Sequence, residues 1–421
     1  MLDTLPSWRH ASHTLYAMKC SLGFCPGIES RALTWGVTTK QVVDLLGALI
    51  RIESASPVLM TDGAGEQSIA RFIVDWLSDT PAEVEVIEIE PGRPNVIARL
   101  RGGGVGGGRT LCFNAHMDTV GYEGWPEDAL IPRLRGNRIV GLGASDDKAG
   151  CVTAMLTLRL LAQSAHCLRG DLLAAFVADA EGKSIGTEWL AKQDGIDAAI
   201  VIEPQPIGDL VIEHQGFGWI DVITRGVAAH GSEPDAGVDA IVHMAEVITR
   251  LHRLDRTKFQ PYPSLLNGPA VFHTAMISGG SGYANYPDYA KLSIKIGTQP
   301  GESLLDRVAE IEAIFADVAK TEPGFNGEVV VKLDREPFVA QGHEALQEIV
   351  AEAMTAVLGV PPRIAGLNAW RDAALMQSAG IPTLLMGSSG GNHHAAGEWA
   401  SISEIIKLCE ILSRVAVAYL A

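Results

Sequence analysis

Histidines and acids stand at the ends of apolar runs along this 421-residue chain, and their types suit a hydrolytic metal centre. His116-Met117-Asp118 closes the run Thr110-Leu111-Cys112-Phe113-Asn114-Ala115. In an extended strand, side chains two apart share a face. His116 can therefore ligate a metal while Asp118 accepts its other ring N–H and fixes the tautomer. On its own His-x-Asp is common and equally fits a surface histidine beside a solvated carboxylate. Four further stretches point to the same chemistry. Ile139–Gly143 leads to Asp146-Asp147-Lys148, Leu172–Ala178 to Asp179-Ala180-Glu181, and Ala198–Ile202 to Glu203-Pro204. Thr383–Met386 leads through a glycine-rich loop to His393-His394. Nitrogen and oxygen ligands without thiolate suit Zn²⁺, Co²⁺ or Mn²⁺.

The runs that must position these groups are apolar enough for strands buried on both faces. Ligands of such sheets gather beyond the carboxyl ends of the strands, where the acids and histidines lie. The pattern predicts an α/β fold with a mixed, largely parallel sheet, opened by helices over Val42–Ile52 and Glu66–Leu77. From about Gly218 to Arg335 the character changes. Strands at Trp219–Thr224, Val271–Ile277, Ala290–Ile296 and Glu328–Leu333 alternate with helices at Asp239–Leu254 and Leu304–Ala319. That order fits a small α/β sandwich with an antiparallel sheet, inserted into a first domain that resumes near Pro337. The glycine-rich stretch Arg101–Gly108 lacks the Lys-Ser/Thr of a phosphate loop. It reads as a hairpin turn between Asn95–Leu100 and Thr110–Asn114.

Composition fits an enzyme with large cores: 47% of residues are hydrophobic and 20% charged. A net charge of −17 argues against nucleic acid and anionic membrane surfaces, and no apolar run reaches the length of a membrane span. The six cysteines (Cys20, Cys25, Cys112, Cys151, Cys167 and Cys409) lack zinc-finger or CxxC spacing, a usage that suits a reducing cytoplasm. Residues 1–36 fit no secretory signal, with acidic Asp3 and a short apolar core at Leu15–Met18.

Taken together, the motifs resemble the co-catalytic metallopeptidase group that contains acetylornithine deacetylase, succinyl-diaminopimelate desuccinylase, glutamate carboxypeptidase and the aminoacylases. The resemblance runs from about Val37 to the C-terminus. It rests on His116-Met117-Asp118, Gly141–Lys148, Asp179-Ala180-Glu181, Glu203-Pro204, Ala229-His230-Gly231-Ser232, Asn285-Tyr286-Pro287-Asp288 and His394–Glu398. It implies a zinc-peptidase-like catalytic domain over residues 37–217 and 336–421, and a lid and dimerisation domain over 218–335. Residues 1–36 are left as an N-terminal extension. It further implies that Asp146 bridges two divalent metals, with His116 and Glu203 completing one site and Glu181 and His394 the other. Whether one or both sites fill is not readable from the ligands. The resemblance also makes the Asp146–Asp147 peptide cis, and makes the protein a homodimer or higher oligomer through its lid. His230 would reach the partner's active site and hydrogen-bond the developing oxyanion, and Asn285 would contact substrate. Asn285 also fits a plain turn before Pro287.

Two departures from the family pattern bear on chemistry. Two consecutive glutamates normally follow the aspartate at 179, the first acting as general base and acid; here Ala180 occupies that position. Ala180 is readable as an engineered Glu-to-Ala change, as native to a member with altered chemistry, or as the mark of a metal-binding protein without turnover. A shift of one residue would offer Asp179 as the base. The second departure is Gly297, which stands where relatives carry a carboxylate-binding arginine; Arg371, beside Trp370 and Asp372, is the candidate substitute. The resulting expectation is a hydrolase in which hydroxide formed on the metal cleaves a C–N bond of a small carboxylated molecule, an N-acyl amino acid or related amide. The alternatives are an aminohydrolase of an activated aromatic amine such as 5-nitroanthranilate, and a non-catalytic metal- or ligand-binding relative.

Overall fold

The computed structural model describes residues 36–103, 108–126, 128–163, 168–261 and 263–421; the expected N-terminal extension lies outside them except for Gly36. The chain divides into two compact units. One comprises Met1–Leu210, Gln341–Arg363 and Leu375–Ala421; the other comprises Val211–Ala340 and Ile364–Ala374.

In the first unit the strand order is Glu83–Glu90, Arg93–Leu100, Asp171–Val177, Thr110–His116, Ala198–Ile202, Thr383–Met386. The first two are an antiparallel hairpin turned at Pro91-Gly92 and joined antiparallel to Asp171–Val177. From there to Thr383–Met386 all pairings are parallel. Every residue of Thr110–His116 and Ala198–Ile202 is buried, because helices cover the sheet and leave no polar face. Helix Lys148–Gln163 packs on Thr110–His116 and Asp171–Val177, with helices Thr39–Ile50 and Ile402–Tyr419 against it. Its first eleven residues are all buried, so the amphipathic stripe expected of a surface helix is absent there. Register sets the site: His116 lies opposite Val177, Asn114 opposite Val201, and Ile202 opposite Met386. The residues after these strands therefore leave the sheet along one edge.

The strands on either side of the glycine-rich stretch, of which residues 104–107 lie outside the described residues, are not hairpin partners. Asp171–Val177 lies between them, and at its near end Gly102 N–H donates to Asp171 Oδ1 at 2.9 Å and Gly103 N–H to the Leu168 carbonyl at 2.7 Å. Adjacency in sequence suggested pairing. Thr110–His116 instead takes the central place, where it is flanked by parallel partners on both sides.

The second unit is an antiparallel sheet in the order Phe272–Gly279, Tyr289–Thr298, Gly216–Arg225, Asn326–Arg335. Helices Ala240–Leu254 and Leu304–Val318 cover one face through Ile220, Val222, Met244, Val247, Ile294 and Ile311. Asp239 starts the first helix by accepting N–H bonds from Ile241 and Val242, and Ser303 with Asp306 forms a capping box on the second.

Within this unit His214 is fully buried between Phe338 and the edge of Trp370. Its Nδ1–H donates to the Gln215 carbonyl at 2.9 Å and its Nε2 accepts the Arg371 N–H at 3.3 Å. Burial, with Arg371 nearby, pushes its pKa down to about 3. Below about 6.5, the ordinary imidazole value, the unfolded chain takes up a proton that the folded chain refuses until about 3. Stability contributed by neutral His214 is therefore complete above 6.5 and lost as pH falls through that window. His214→Gln, which retains a donor and an acceptor, should flatten the acid side of the stability profile, measured by urea denaturation between pH 7 and 5. An unchanged slope would exclude His214 as a source of the pH dependence.

Candidate metal centre

Asp146 has one carboxylate oxygen turned toward each of two histidines. Oδ1 is 3.1 Å from His116 Nε2, and Oδ2 is 3.4 Å from His394 Nε2. Glu203 Oε1 lies 3.8 Å from His116 Nε2, and Glu181 Oε1 lies 2.9 Å from His394 Nε2. His116, Asp146 and Glu203 form one triplet and Asp146, Glu181 and His394 a second, with ligand atoms in each within 4.8 Å of one another. His393, the neighbouring candidate, is in neither. Each triplet offers one imidazole and two carboxylates, a donor set that fits Zn²⁺, Mn²⁺ or Co²⁺. Three carboxylates so close and so little exposed require positive charge between them.

The chain holds this arrangement from behind. His116 ends its strand with its Nδ1 directed at the Asp118 carbonyl, 3.0 Å away, and at Asp118 Oδ1, 3.4 Å away. Nδ1–H is thus a donor to Asp118, which leaves Nε2 as the nitrogen that a cation would take. The same Asp118 carboxylate accepts the N–H groups of Ala180 and Glu181, both at 3.0 Å. One side chain therefore orients a ligand from one triplet and the backbone of a ligand from the other. Glu398 does a similar service for Asp146. Its carboxylate, 1% exposed, accepts N–H bonds from Gly143, Ser145 and Asp146 at 2.9–3.0 Å. The peptide Asp146–Asp147 is cis. Asp147 turns its carboxylate away from the triplets to the N–H groups of His116 and Gly150.

Crowding of acids shows in the protonation preferences. Burial alone would lower His116, but Asp118 and Asp146 outweigh it and hold the ring well above the ordinary imidazole value. Asp146 and Glu181 raise His394 to about 10, so a divalent cation ligated there must displace a proton. Burial beside Asp146 raises Glu181, and raises Glu398 to about 7 despite its three N–H donors.

Asp179 and Ala180 precede Glu181 in a sharp turn. Asp179 has φ of +67°. Its carboxylate is directed to Arg93 Nη2 at 2.9 Å, Ser56 Oγ at 3.1 Å and Lys183 N–H at 2.9 Å. It is already committed as an acceptor, and the one-residue shift that would make it the base is not what the chain adopts. Ala180 is partly exposed.

The remaining candidates lie in the second unit. His230 and Asn285 are bridge partners, fastened by Gly231 N–H to the Ala284 carbonyl and Tyr286 N–H to the Ala229 carbonyl. His230 is exposed, and Asn285 is half-buried beside the fully exposed Tyr283. Ser232 engages His230 Nδ1 through its hydroxyl at 2.7 Å and its N–H at 3.3 Å. A Cβ at Gly297 would lie 2.8 Å from Gln215 Oε1 and from the Val271 nitrogen, so the backbone packing there has no room for an arginine. Trp370 donates to the Glu336 carbonyl at 3.1 Å and meets Phe217 edge-on, and Arg371 adjoins it with its N–H on His214.

Residues 112–418 match the model of the Peptidase family M20/M25/M40. The chain belongs to this family. It is 26% identical to an N-formyl-4-amino-5-aminomethyl-2-methylpyrimidine deformylase of Bacillus subtilis, over 89% of this chain and 93% of the relative. It is 27% identical to the acetylornithine deacetylase of Vibrio campbellii, over 87% and 96%. Its fold superposes with a TM-score of 0.67 and 16% identity on the Bacillus subtilis YXEP protein, described as a dinuclear metal binding peptidase from the M20 family, covering 91% of this chain and 98% of that one. As an M20 member with this ligand set, the protein is a metal-dependent hydrolase. Among the described residues no helix is long and apolar enough to cross a membrane, and Cys112, Cys151 and Cys409 are buried free thiols.

Motif reading found Asp118 behind His116 but not the other clamps behind the ligands. Glu398 stood in a quoted motif, yet its three backbone contacts span more than 250 positions. Glu66 and Arg93 carried no local signal at all.

Proposed function

We propose that this M20 hydrolase removes an acyl group from nitrogen, cleaving the C–N bond of an N-acyl amino acid or related small amide at a two-cation centre. The observation that carries this reading is the Asp146 carboxylate, with one oxygen toward each ligand triplet. His116 and Glu203 would hold one cation with Asp146, and Glu181 and His394 the other. When bound, Zn²⁺, Mn²⁺ or Co²⁺ would polarise the scissile carbonyl and acidify a water molecule. Asp118 leaves His116 Nε2 to the cation, and Glu398 keeps the Asp146 backbone in place. His230, supplied across a homodimer interface of the second units, would donate a ring N–H to the oxyanion that develops on the acyl carbon, stabilisation commonly worth several kcal/mol. Asn285 beside it would contact the substrate.

Two relatives are named for removing a formyl or an acetyl group, which supports an amide rather than a ring-bound amine as the reacting bond. Closed packing at Gly297 removes one anchor for a substrate carboxylate. Arg371 with Trp370 would be the replacement if the substrate carries one; an amide of a heteroaromatic amine without a carboxylate would not need it.

Asp146→Ala should abolish stoichiometric metal binding, because both triplets lose a member. Undiminished metal by elemental analysis would overturn the shared-ligand assignment. Position 180 directly precedes the ligand Glu181 in the turn, and a glutamate there would serve the attacking water and the leaving nitrogen. Ala180→Glu should therefore raise kcat by about 10²-fold or more with a smaller change in KM, as for a group acting mainly in the transition state. Steady-state kinetics on a confirmed amide would test it; unchanged kcat would mean that proton transfer follows another route. Turnover by either form separates an enzyme from a binding relative. For the interface, mixing Asp146→Ala with His230→Ala protomers should restore part of the activity missing from each alone. Failure of the mixture to regain activity, with mixed dimers demonstrated, would rule out shared sites.

A further inference from the structure

Behind Glu181 lies a buried charge cluster that the ligand set does not use. Arg93, at the start of a strand, is 5% exposed, Glu66 at the head of helix Gln67–Leu77 is 0%, and Asp179 is 1%. The Arg93 guanidinium forks between them, giving Nε and Nη2 to the two oxygens of Glu66 and Nη2 to Asp179 Oδ1 at 2.9 Å. Glu66 Oε1 in turn accepts the Asp179 N–H at 3.1 Å. Three consecutive backbone N–H groups, those of 179, 180 and 181, are thus each taken by a buried carboxylate, the first by Glu66 and the next two by Asp118. Asp179 is held in the left-handed region, which non-glycine residues occupy only when their surroundings enforce it. On its far side the Asp179 carbonyl accepts Gly182 and Ser184 N–H bonds. The turn that presents Glu181 is therefore fixed at its first residue by Arg93 and Glu66, and at its last two by Asp118.

We propose that Arg93, seated by Glu66, is a positioning residue for one half of the metal centre: through Asp179 it fixes Glu181, and with it the triplet Asp146–Glu181–His394, while it reaches His116 of the other triplet only indirectly, by way of Asp118. The guanidinium is suited to this because its planar fork binds two carboxylates at once, which an ammonium cannot do with the same geometry. Without it, Glu66 and Asp179 would face each other as buried like charges, and the turn would relax by the one torsion already held out of its preferred range. Since Glu181 follows Asp179 by two residues, a rotation there displaces the ligand carboxylate directly. His116 is instead oriented by Asp118.

The inference rests on the two-cation reading and is tested apart from it. The chelated wild-type protein is titrated with Zn²⁺ by calorimetry and with Co²⁺ by visible absorption, alongside Arg93→Lys and Asp179→Asn. Asparagine tolerates the left-handed conformation well, so Asp179→Asn keeps the test alive should Arg93→Lys fail to fold. In both variants one of two equivalents should weaken by about 10–100-fold, the usual effect of removing an outer partner of a metal ligand. The other equivalent, and its Co²⁺ spectrum, should stay as in the wild type. If both equivalents keep wild-type affinity, or both weaken together, Arg93 does not position one triplet. If the wild type itself takes up fewer than two equivalents, the two-cation reading fails first, and this assignment falls with it.

Discussion

Gathering several carboxylates in one poorly solvated place is the constraint that this molecule is built around. Two unit charges 4 Å apart at an effective dielectric near 20 interact by about 4 kcal/mol, and Asp146 has ligand atoms of Glu203 in one triplet and of Glu181 in the other within 4.8 Å. Such a cluster cannot be left to loops that are free to spread. The parallel strands answer part of the problem, since their register delivers His116, the turn after Val177 and Glu203 to one edge of the sheet. The rest is answered by hydrogen bonds from the backbone to a second layer of acids.

That second layer gives the site an unusual economy. Asp118, Asp147, Asp179, Glu66 and Glu398 are all nearly inaccessible, and each accepts at least one backbone N–H within the turns that carry the ligands. A carboxylate that accepts several N–H groups is held rigidly, and rigid partners are what orient a ligand before the cation arrives. Much of the acid content of the site is therefore framework. Small residues stand at some of the close approaches between backbone and carboxylate. A Cβ at Gly150 would lie 2.3 Å from the Asp147 carboxylate oxygens, and one at Gly182 2.4 Å from Asp179 Oδ1.

How much of this was legible in the sequence follows the range of the interactions. The strands and helices of both units were readable because apolar period and length are local, as at Thr110–His116 and Ala240–Leu254. The motifs at 116–118, 146–147, 179–181, 203 and 394 were readable because each ends a local run, and the family resemblance supplied how they group. The glycine-rich stretch misled, because pairing is decided by the sheet as a whole and Asp171–Val177 arrives later in the chain to take the place between. Arg93 and Glu66 were silent for a related reason: an arginine before proline and a glutamate before a helix look like ordinary surface choices until the fold closes over them.

The chain order of the two triplets has a consequence for synthesis. His116, Asp146 and Glu203 all precede the second unit, whereas His394 and the clamp Glu398 follow it. A nascent or truncated chain that ends before residue 394 holds every side chain of one triplet and lacks an imidazole from the other. The Asp146 loop in such a chain also lacks the carboxylate that gathers its three N–H groups. Completion of the centre thus waits on the segment that carries His394 and Glu398, the keystone of a structure whose other stones are laid earlier in the chain.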